Sequence, residues 1–268
     1  MGRTTIKYYG WSALSIETAD GALYFDPFYR PYCGAEWFHA GDFANARYIC
    51  ATHGHEEHFL DVPLIAKSTG ATVIGAPALC NFLRRRNKVD PALLKSIDPY
   101  KYEEVEVPGY RVTALPWKHR DINLYKALTK AVFQGNATQL SWAWSSATNA
   151  PFYSPYTGFH VELRDGTTVL NYNEGFNTKL TDGEAQDLGK RFRTDILLAG
   201  MQLFFVDDVV RGVAGIQPKV VILYPPHEKF HAMMGAASAP WTDFADAVKN
   251  RFPHIDVQIA APGYVYQA

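Results

Sequence analysis

Three histidines and two carboxylates lie together in one short segment, which reads HGHEEH from His53 to His58. Imidazole and carboxylate are the ligands with which proteins hold zinc, iron or manganese. Residues 47–51 are apolar and predict a buried strand, so the segment is expected in a loop at a strand end. There His53 and His55 can point the same way, while Glu57 faces a second centre beside the last histidine. Because the whole chain has only nine histidines, this spacing predicts a metal site rather than an ordinary polar loop.

Polar side chains also follow four further predicted strands, at the point where each strand ends. These residues are Asp26, His119, the pair Asn173 and Glu174, and His227. A metal site on a rigid scaffold takes its ligands from several elements that meet at one edge. Each of these residues alone is a weak signal, but their order along the chain predicts that they converge on the histidine segment.

The order of these motifs resembles that of the metallo-β-lactamase superfamily. The pattern runs His-x-His-x-Glu-His, then a later histidine, then Asn-Glu-Gly and then Pro-Pro-His. The opening YYGWSALSIETADGALYFDPF is similar to the first strands of the branch that contains ascorbate-6-phosphate-lactonase-like and N-acylphosphatidylethanolamine-phospholipase-D-like hydrolases, and PKVVILYPPHEKF resembles the last ligand segment of that branch. The resemblance implies an α/β fold, namely an αββα sandwich of two mixed β-sheets with helices outside.

The resemblance also implies one or two divalent metal ions (zinc, manganese or iron) at one edge of the sheets. By position, the first metal ion takes His53, His55 and His119, and the second takes Glu57, His58 and His227. Glu57 is expected either to bind the second metal ion or to act as a catalytic base. Asp26 is expected to hold a ligand imidazole through its other N–H.

Three positions depart from the pattern of the superfamily. Glu57 stands where aspartate is usual, Trp11 stands where histidine is common, and Asn173 stands where an aspartate usually bridges the two metal ions. A neutral amide is a poor bridge between two cations, so the second metal ion is expected to bind weakly unless Glu174 turns inward. Because neighbouring side chains on a strand point in opposite directions, Glu174 reaches the site only if the strand has already ended.

The chemistry of such a site favours hydrolysis. A metal ion held by three neutral imidazoles keeps its full charge and lowers the pKa of a water molecule to about 7. The leading hypothesis is a metal-dependent hydrolase acting on an ester, lactone, amide or phosphodiester of a small molecule. One alternative is a diiron oxygen-using oxidoreductase on the same fold, since ligands such as Glu57 and Glu174 favour iron. The other is a degenerate member that binds a ligand without turnover, which Asn173 suggests.

Residues beside the ligand positions are candidates for contact with the substrate. Lys118, Arg120 and His231 can meet an anionic group, although solvent-facing charge also explains them. Residues 121–157 form an aromatic-rich insertion without a sustained period, which is typical of a lid or a binding loop. The insertion carries Trp142, Trp144, Phe152, Tyr153 and Tyr156, which predict either a substrate wall over the site or a small aromatic core. Trp142, Trp144 and Tyr153 are the candidate substrate contacts among them.

Composition narrows the class of protein further. The 268 residues are 47% hydrophobic and 20% charged, as in globular proteins, and the net charge of −1 gives no basis for nucleic-acid binding. The three cysteines form no CxxC pair, and no apolar run approaches the ~20 residues of a membrane span. With no apolar leader at the N-terminus, these features predict a cytoplasmic protein. We expect a single domain over residues 1–268, and the sequence gives no oligomeric state.

Local patterns predict, in each half of the chain, a run of strands followed by alternating helices and strands. The predicted strands include 6–9, 14–17, 22–25, 72–75, 111–115, 158–163, 168–172, 196–199, 219–224 and 257–260, and the predicted helices are 62–67, 77–86, 182–191, 205–214 and 241–251. This arrangement indicates two sheets covered by helices.

Overall fold

Two seven-stranded β-sheets form the centre of the computed structural model, which describes residues 4–30, 38–120, 132, 137–233 and 236–268. The strands of the described residues are β1 Thr5–Gly10, β2 Ala13–Thr18, β3 Gly21–Phe25, β4 Ala46–Ala51, β5 Thr72–Gly75, β6 Leu94–Ser96, β7 Glu104–Val107, β8 Tyr110–Pro116, β9 Thr157–Leu163, β10 Thr168–Asn173, β11 Ile196–Gly200, β12 Val220–Tyr224, β13 Asp256–Ile259 and β14 Val265–Gln267.

Both sheets are mixed. The first has the order β14-β1-β2-β3-β4-β5-β6, and its strands run antiparallel up to β3 and parallel from β3 to β6. The second has the order β13-β12-β11-β10-β9-β8-β7, with antiparallel pairs from β7 to β10 and parallel pairs from β10 to β13. The two sheets thus repeat one plan, in which antiparallel strands lead into parallel strands joined by helices.

Helices connect most of the parallel strands of each sheet, and one helix lies in the insertion between the antiparallel strands β8 and β9. Within the described residues they are α1 Glu56–Phe59, α2 Val62–Thr69, α3 Pro77–Arg85, α4 Ala137–Asn149, α5 Asp182–Arg191, α6 Val206–Ile216, α7 Glu228–Met233 and α8 Trp241–Arg251. Short 3-10 turns lie at Ala40–Phe43, Pro91–Leu93 and Pro99–Lys101. None of the helices in these ranges has the length and apolar character that crossing a bilayer requires.

Alternation along the strands divides the core into layers. Val169 and Leu198 belong to a cluster that also contains Leu14 and Phe25 of the first sheet, so their side chains fill the space between the sheets. Their neighbours on the strands point to the opposite face, and Leu170 accordingly packs in a second cluster with residues of α5, α6 and α8. A third cluster joins the outer face of the first sheet to α2 and α3. The predicted αββα sandwich of two mixed β-sheets is confirmed.

Two helices lie where the sequence predicted irregular structure. Residues 121–157 were expected to have no regular element, yet α4 has 13 residues. Its sequence is rich in Ser, Thr and Trp, and the apolar positions do not repeat at helical spacing, so the pattern gives no helical signal. The second is the four-residue α1, which lies inside the histidine segment. It is too short for any periodicity to be visible.

Two glycines set the distance between α5 and α6, the helices that cover the second sheet. A Cβ atom added at Gly189 would lie 2.0 Å from the carbonyl oxygen of Gly215, and a Cβ at Gly215 would lie 2.3 Å from the backbone of Ala185. The helix backbones therefore touch, and only glycine fits at the contact. Gly183 on the same α5 has open space at its Cβ position.

We predict that Gly215→Ala lowers the free energy of unfolding by about 1–3 kcal/mol, because the added methyl group forces the two helices apart. Gly183→Ala is the matched control, and should change stability by no more than about 1 kcal/mol, on the stabilising side. Urea unfolding followed by circular dichroism measures both. Equal effects of the two variants would show that the helices do not depend on this contact.

Candidate metal centre

The side chains of the candidate centre come from five strand ends at one edge of the sandwich. Asp26 follows β3, the histidine segment follows β4, and His119 follows β8. Glu174 follows β10, and His227 follows β12. All of these side chains are buried, so the convergence expected from the sequence is present in the structure.

His53, His55 and His119 form a first set, in which one nitrogen of each ring lies within 4.8 Å of the others. Nε2 of His53 is 2.9 Å from Nδ1 of His55. Nδ1 of His119 donates to the carbonyl oxygen of Arg120 at 2.7 Å, which leaves Nε2 directed at the cluster. Burial and the neighbouring histidines lower the pKa of His53 and of His55 well below the usual range. These rings are therefore neutral at pH 7, as metal ligands must be.

Glu57, His58 and His227 form a second set with the same spacing. The short helix α1 brings Glu57 and His58 to this place, because His55 is its N-cap and the two residues lie in its first turn. Glu57 is buried, and its Oε2 atom has no hydrogen-bond partner among the described residues. A buried carboxylate oxygen without a donor needs a cation or a water molecule to satisfy it.

Glu174 lies between the two sets. Its Oε1 atom is 2.9 Å from Nε2 of His58 and also contacts Nε2 of His227, while its Oε2 atom is 3.2 Å from Nε2 of His119. Burial by itself raises the pKa of Glu174, but His227 and the hydrogen bonds with the three imidazoles outweigh burial and hold the pKa well below its usual range. Glu174 is thus a buried anion among imidazoles, and a third metal-suited set contains it with His53 and His58.

The end of β10 determines which of the neighbouring residues Asn173 and Glu174 turns toward the imidazoles, a point that the sequence leaves open. Asn173 ends β10 with a φ of 47°, in the left-handed region that asparagine tolerates. The strand pairing also shifts register between Asn171 and Asn173. This irregularity breaks the alternation of the strand and turns Glu174 inward, so that its carboxylate contacts His58, His119 and His227.

Asn173 lies in a layer of hydrogen bonds behind the cluster. Its Nδ2 atom donates to Oδ2 of Asp26 and to Oγ1 of Thr52, both at 3.1 Å, and its Oδ1 atom accepts from Ser12 at 3.1 Å. The second carboxylate of this layer is Asp26, whose Oδ2 atom is 2.6 Å from Nδ1 of His58. The structure therefore has Asp26 at the far side of a candidate ligand imidazole, where the sequence predicts it.

The charge on His58 follows from its two carboxylate neighbours. Burial lowers the pKa of His58, but Asp26 and Glu174 outweigh burial and raise the pKa to about 10. The site thus favours one positive charge between the carboxylates, which a proton or a metal ion supplies.

Three of the seven non-glycine residues with positive φ among the described residues lie around the centre. Trp11, Asp26 and Asn173 all have φ angles between 40° and 49°, a region that costs most residues about 1–3 kcal/mol. Trp11, which stands where histidine is common in the superfamily, lies with its ring centroid 5.2 Å from that of His227. It packs edge-on against Phe28 and so forms an apolar wall beside the second set.

Aromatic residues of the insertion pack against the first set. The ring of Phe152 is 4.7 Å from that of His55, and the ring of Tyr156 is stacked on that of His119 at 4.9 Å. A Cβ atom at Gly54 would lie 2.0 Å from the carbonyl oxygen of Pro151, so the end of the insertion touches the histidine segment directly. The sequence predicts Phe152 and Tyr156 as part of an aromatic wall or core but not as substrate contacts, although their position just before β9 marks them as close to the site.

The candidate substrate residues are spread more widely. Trp144 and Tyr153 are 74% and 86% exposed, and their role as substrate contacts stays a prediction. The side chain of Trp142 lies outside the described residues, as do residues 121–131 and 133–136 of the insertion. Lys118 is exposed and pairs with Glu184, away from the histidines. The neighbouring residue Trp117 packs against the histidines instead, with its ring centroid 5.4 Å from that of His53.

Arg120 and His231 do lie beside the cluster. Nη2 of Arg120 donates to Nε2 of His231 at 3.3 Å, and Nε of Arg120 is buried without a partner among the described residues. Burial, followed by His227 and Arg120, lowers the pKa of His231 to about 3, so His231 is neutral and Arg120 carries the charge. The pair adds a cation at the border of the site.

The donor atoms fit divalent metal ions. Three sets of buried nitrogen and oxygen ligands lie within metal-binding distance of one another, and zinc, manganese and iron accept this mixture. Glu57 belongs to one of these sets, and its Oε2 atom has no hydrogen-bond partner among the described residues. The arrangement is therefore suited to divalent metal binding.

Comparison with known sequences gives partial matches to metal-dependent hydrolases. A UPF0173 metal-dependent hydrolase of Sinorhizobium medicae is 39% identical over 92 residues, which are 32% of this chain and 38% of the relative. One of Carboxydothermus hydrogenoformans is 40% identical over 82 residues, 31% of this chain and 35% of the relative. The chain thus spans little more than a third of the length of these relatives. No protein-family model matches it.

Solved structures match over almost the whole chain. The metallo hydrolase Igni18 of Ignicoccus hospitalis has a TM-score of 0.69 at 16% identity, covering 99% of this chain and 98% of the other. The metallo-β-lactamase fold protein YhfI of Bacillus subtilis has a TM-score of 0.63 at 11% identity and full coverage of both chains. The chain has the metallo-β-lactamase fold. The diiron β-hydroxylase CmlA of Streptomyces venezuelae shares this fold, with a TM-score of 0.66 at 13% identity over 100% of this chain and 55% of its own.

We predict that His53→Ala removes most of the metal bound to this metallo-β-lactamase fold, because His53 belongs to two of the three ligand sets. Inductively coupled plasma mass spectrometry of the purified variant measures the loss. His254→Ala is the control, since His254 is exposed and distant in sequence from every set. Full stoichiometric metal in the His53 variant would remove this residue from the centre.

We predict that Glu174→Gln lowers metal affinity by at least about 100-fold, because it deletes the anion between the imidazoles without changing the size of the side chain. Asn173→Asp should not restore the affinity. The Nδ2 atom of Asn173 now donates to Asp26 at 3.1 Å, and Asn173→Asp would replace this donor by a second carboxylate. The repulsion between the two buried carboxylates should lower the free energy of unfolding by about 2 kcal/mol or more. Metal titration with a competing chelator, together with thermal unfolding, separates the two variants. Tighter metal binding in Asn173→Asp would instead favour Asn173 as the bridging position.

Proposed function

We propose that this chain is a metal-dependent hydrolase that cleaves an ester, lactone, amide or phosphodiester of a small molecule, with His53, His55 and His119 at one metal ion, His58 and His227 at a second, and Glu57 beside the second ion as the catalytic base. The observation that carries the proposal is the buried Glu174 carboxylate between two sets of metal-suited side chains. The names of the partly matching relatives, which are metal-dependent hydrolases, support the same class of reaction.

A divalent metal ion in this centre supplies Lewis acidity toward a carbonyl or phosphoryl oxygen and lowers the pKa of a water molecule. Side chains of the protein transfer the proton of the water molecule and orient the ligand imidazoles. Glu57 has a buried carboxylate oxygen without a donor, and it accepts the proton of the attacking water and returns it to the leaving group. Asp26 accepts the Nδ1 hydrogen of His58 and so keeps the Nε2 atom of that ring directed at the centre.

Aromatic rings exclude bulk water from the first set. Phe152, Tyr156 and Trp117 surround the rings of His53, His55 and His119. A dry wall of this kind strengthens the electrostatic interactions inside the site. Arg120 carries a positive charge at the border and is suited to an anionic group of the substrate.

A second candidate function is an oxygen-using diiron oxidoreductase. Two carboxylates, Glu57 and Glu174, lie with five imidazoles in the three sets, and carboxylate ligands favour iron. The diiron β-hydroxylase CmlA has the same fold. The non-catalytic alternative was suggested by the absence of a carboxylate at position 173. Because Glu174 supplies a carboxylate in the centre, that argument no longer favours it.

One experiment separates hydrolysis from oxidation. The purified protein is stripped of metal and reloaded with zinc, manganese or ferrous iron, then assayed on p-nitrophenyl acetate, γ-butyrolactone and bis-p-nitrophenyl phosphate. Hydrolysis that disappears on chelation and returns with colourless zinc or manganese supports the proposal. Activity only with iron, accompanied by a visible absorption band and oxygen consumption, supports the diiron alternative.

A small-molecule substrate and a cytoplasmic location remain parts of the same proposal.

We predict that Glu57→Gln lowers turnover by about 100-fold or more while the metal ions stay bound, because the amide cannot accept the proton of the attacking water. If Glu57 is instead a ligand, the variant loses the second metal ion. Glu106→Gln, the same change at an exposed position, is the control. The readout is turnover beside metal content, and wild-type values of both in the Glu57 variant would leave its carboxylate without either role.

A further inference from the structure

The hydroxyl group of Thr52 lies among the hydrogen bonds behind the two sets of candidate ligands. Thr52 follows β4, directly before His53, and is fully buried. Its Oγ1 atom is 2.5 Å from Oδ2 of Asp26, 3.0 Å from Nδ1 of His53 and 3.1 Å from Nδ2 of Asn173. One hydroxyl thus touches a carboxylate, an amide and a candidate ligand imidazole, and the direction of each bond follows from the chemistry of these groups.

The carboxylate of Asp26 fixes the direction of the first bond. Its Oδ1 atom accepts from the backbone N–H of Thr52 at 2.7 Å, and its Oδ2 atom is 2.6 Å from Nδ1 of His58 and 3.1 Å from Nδ2 of Asn173. A carboxylate accepts hydrogens and has none to give. The hydrogen of the Thr52 hydroxyl therefore lies between Oγ1 and Oδ2, at a distance typical of an O–H group bound to a charged acceptor.

Nδ1 of His58 does not compete for the Thr52 hydroxyl. It is 3.5 Å from Oγ1 of Thr52 but only 2.6 Å from Oδ2 of Asp26. Its hydrogen therefore goes to the carboxylate, and Asp26 orients the His58 ring directly.

The remaining contacts of Thr52 determine which nitrogen of His53 carries the hydrogen. A hydroxyl oxygen has one hydrogen and two lone pairs, so after donating to Asp26 it can only accept. If it donated to His53 instead, two oxygen atoms would face each other at 2.5 Å with no hydrogen between them. Nδ1 of His53 is thus the donor at 3.0 Å. Because a neutral imidazole has a single N–H, Nε2 keeps its lone pair, as a metal ligand must.

The amide of Asn173, which stands where the superfamily usually has aspartate, completes the arrangement. Its Nδ2 group has two hydrogens, and the oxygen atoms of Asp26 and Thr52 accept them, both at 3.1 Å. Its Oδ1 atom accepts from Ser12 at 3.1 Å, which fixes the orientation of the amide. A Thr52 hydroxyl that turned its hydrogen toward Asn173 would meet another donor. The amide therefore keeps the hydroxyl directed at Asp26.

We propose that Thr52 is a positioning residue of the metal centre, which links Asp26 to His53 and keeps Nε2 of His53 free of hydrogen and ready to bind a metal ion. Asp26 acts directly on His58 of the second set and acts through Thr52 on His53 of the first set. One carboxylate thus orients a ligand in each set. The inference rests on the metal centre of the proposed function, and not on the reaction that the centre catalyses.

The first test locates the hydrogen on the His53 ring in the metal-free protein. A long-range ¹⁵N–¹H correlation spectrum distinguishes a ring nitrogen that carries a hydrogen from one that does not, and the His53 signals are those absent from His53→Ala. We expect the hydrogen on Nδ1 in the wild-type protein. A hydrogen on Nε2 would overturn the proposal, and this result requires no variant of Thr52 to fold.

The second test removes the hydroxyl. Thr52→Val retains the shape of the side chain but leaves Nδ1 of His53 without its acceptor, so part of the population should move the hydrogen to Nε2. We expect zinc affinity to fall about 10–100-fold, measured by titration of the full-length protein against a competing chelator. Thr52→Ser retains a hydroxyl and should restore both the affinity and the His53 signals.

Thr168→Val is the matched control. The hydroxyl of Thr168 is also buried and also donates to an aspartate, reaching Oδ2 of Asp195 at 2.9 Å. Both valine variants lose a hydroxyl–carboxylate bond and should lower the melting temperature, but only Thr52→Val should change zinc affinity and the His53 signals. Wild-type zinc affinity in Thr52→Val, or an equal loss of affinity in Thr168→Val, would refute the positioning role. Expected zinc and His53 results in a protein without hydrolytic activity would support this role and count against the proposed function alone.

Discussion

The buried negative charge of Glu174 is the constraint on which the rest of the centre depends. An unpaired carboxylate inside a protein is strongly unfavourable, so it must be surrounded by groups that can carry positive charge or donate hydrogen bonds. Here His58, His119 and His227 provide that surrounding from three different strand ends. Each of these strand ends must therefore bring its histidine to the carboxylate of Glu174. The geometry of the centre thus depends on Glu174 as well as on the histidine segment.

The layer behind the imidazoles makes that arrangement rigid. Asp26 accepts from the backbone N–H of Thr52 at 2.7 Å and from the ring of His58 at 2.6 Å. Asn173 donates to the same Asp26 carboxylate. Because this layer joins β3, β4 and β10, it fixes one sheet against the other at the edge where the ligands emerge. The strained φ angles of Asp26 and Asn173 are tolerated because so many bonds hold these residues in place.

The sequence predicted the fold well wherever a local pattern had a single physical meaning. Helix α5 lies at the predicted bounds because Thr181 and Glu184 form a capping box at its start. Helix α4 escaped prediction because its Ser, Thr and Trp residues show no periodic apolar face. The sequence left the inward turn of Glu174 as one of two alternatives, because the turn depends on the left-handed conformation of Asn173 and on a break in strand register. The pair Asn-Glu before Gly175 did contain a signal, since asparagine is the residue besides glycine that most readily adopts that conformation.

The contact between Gly54 and Pro151 has a consequence for how this fold can be remodelled. A loop that merely arches over a site can be exchanged for another of different length and composition. Here the backbone of the insertion at Pro151 contacts Gly54, which lies between two candidate metal ligands. The insertion therefore helps to fix the conformation of the histidine segment. A transplanted loop would need to reproduce the backbone at position 151 before its own side chains mattered. Changes of specificity in this protein are therefore easier to obtain by substitution within the insertion than by replacement of it.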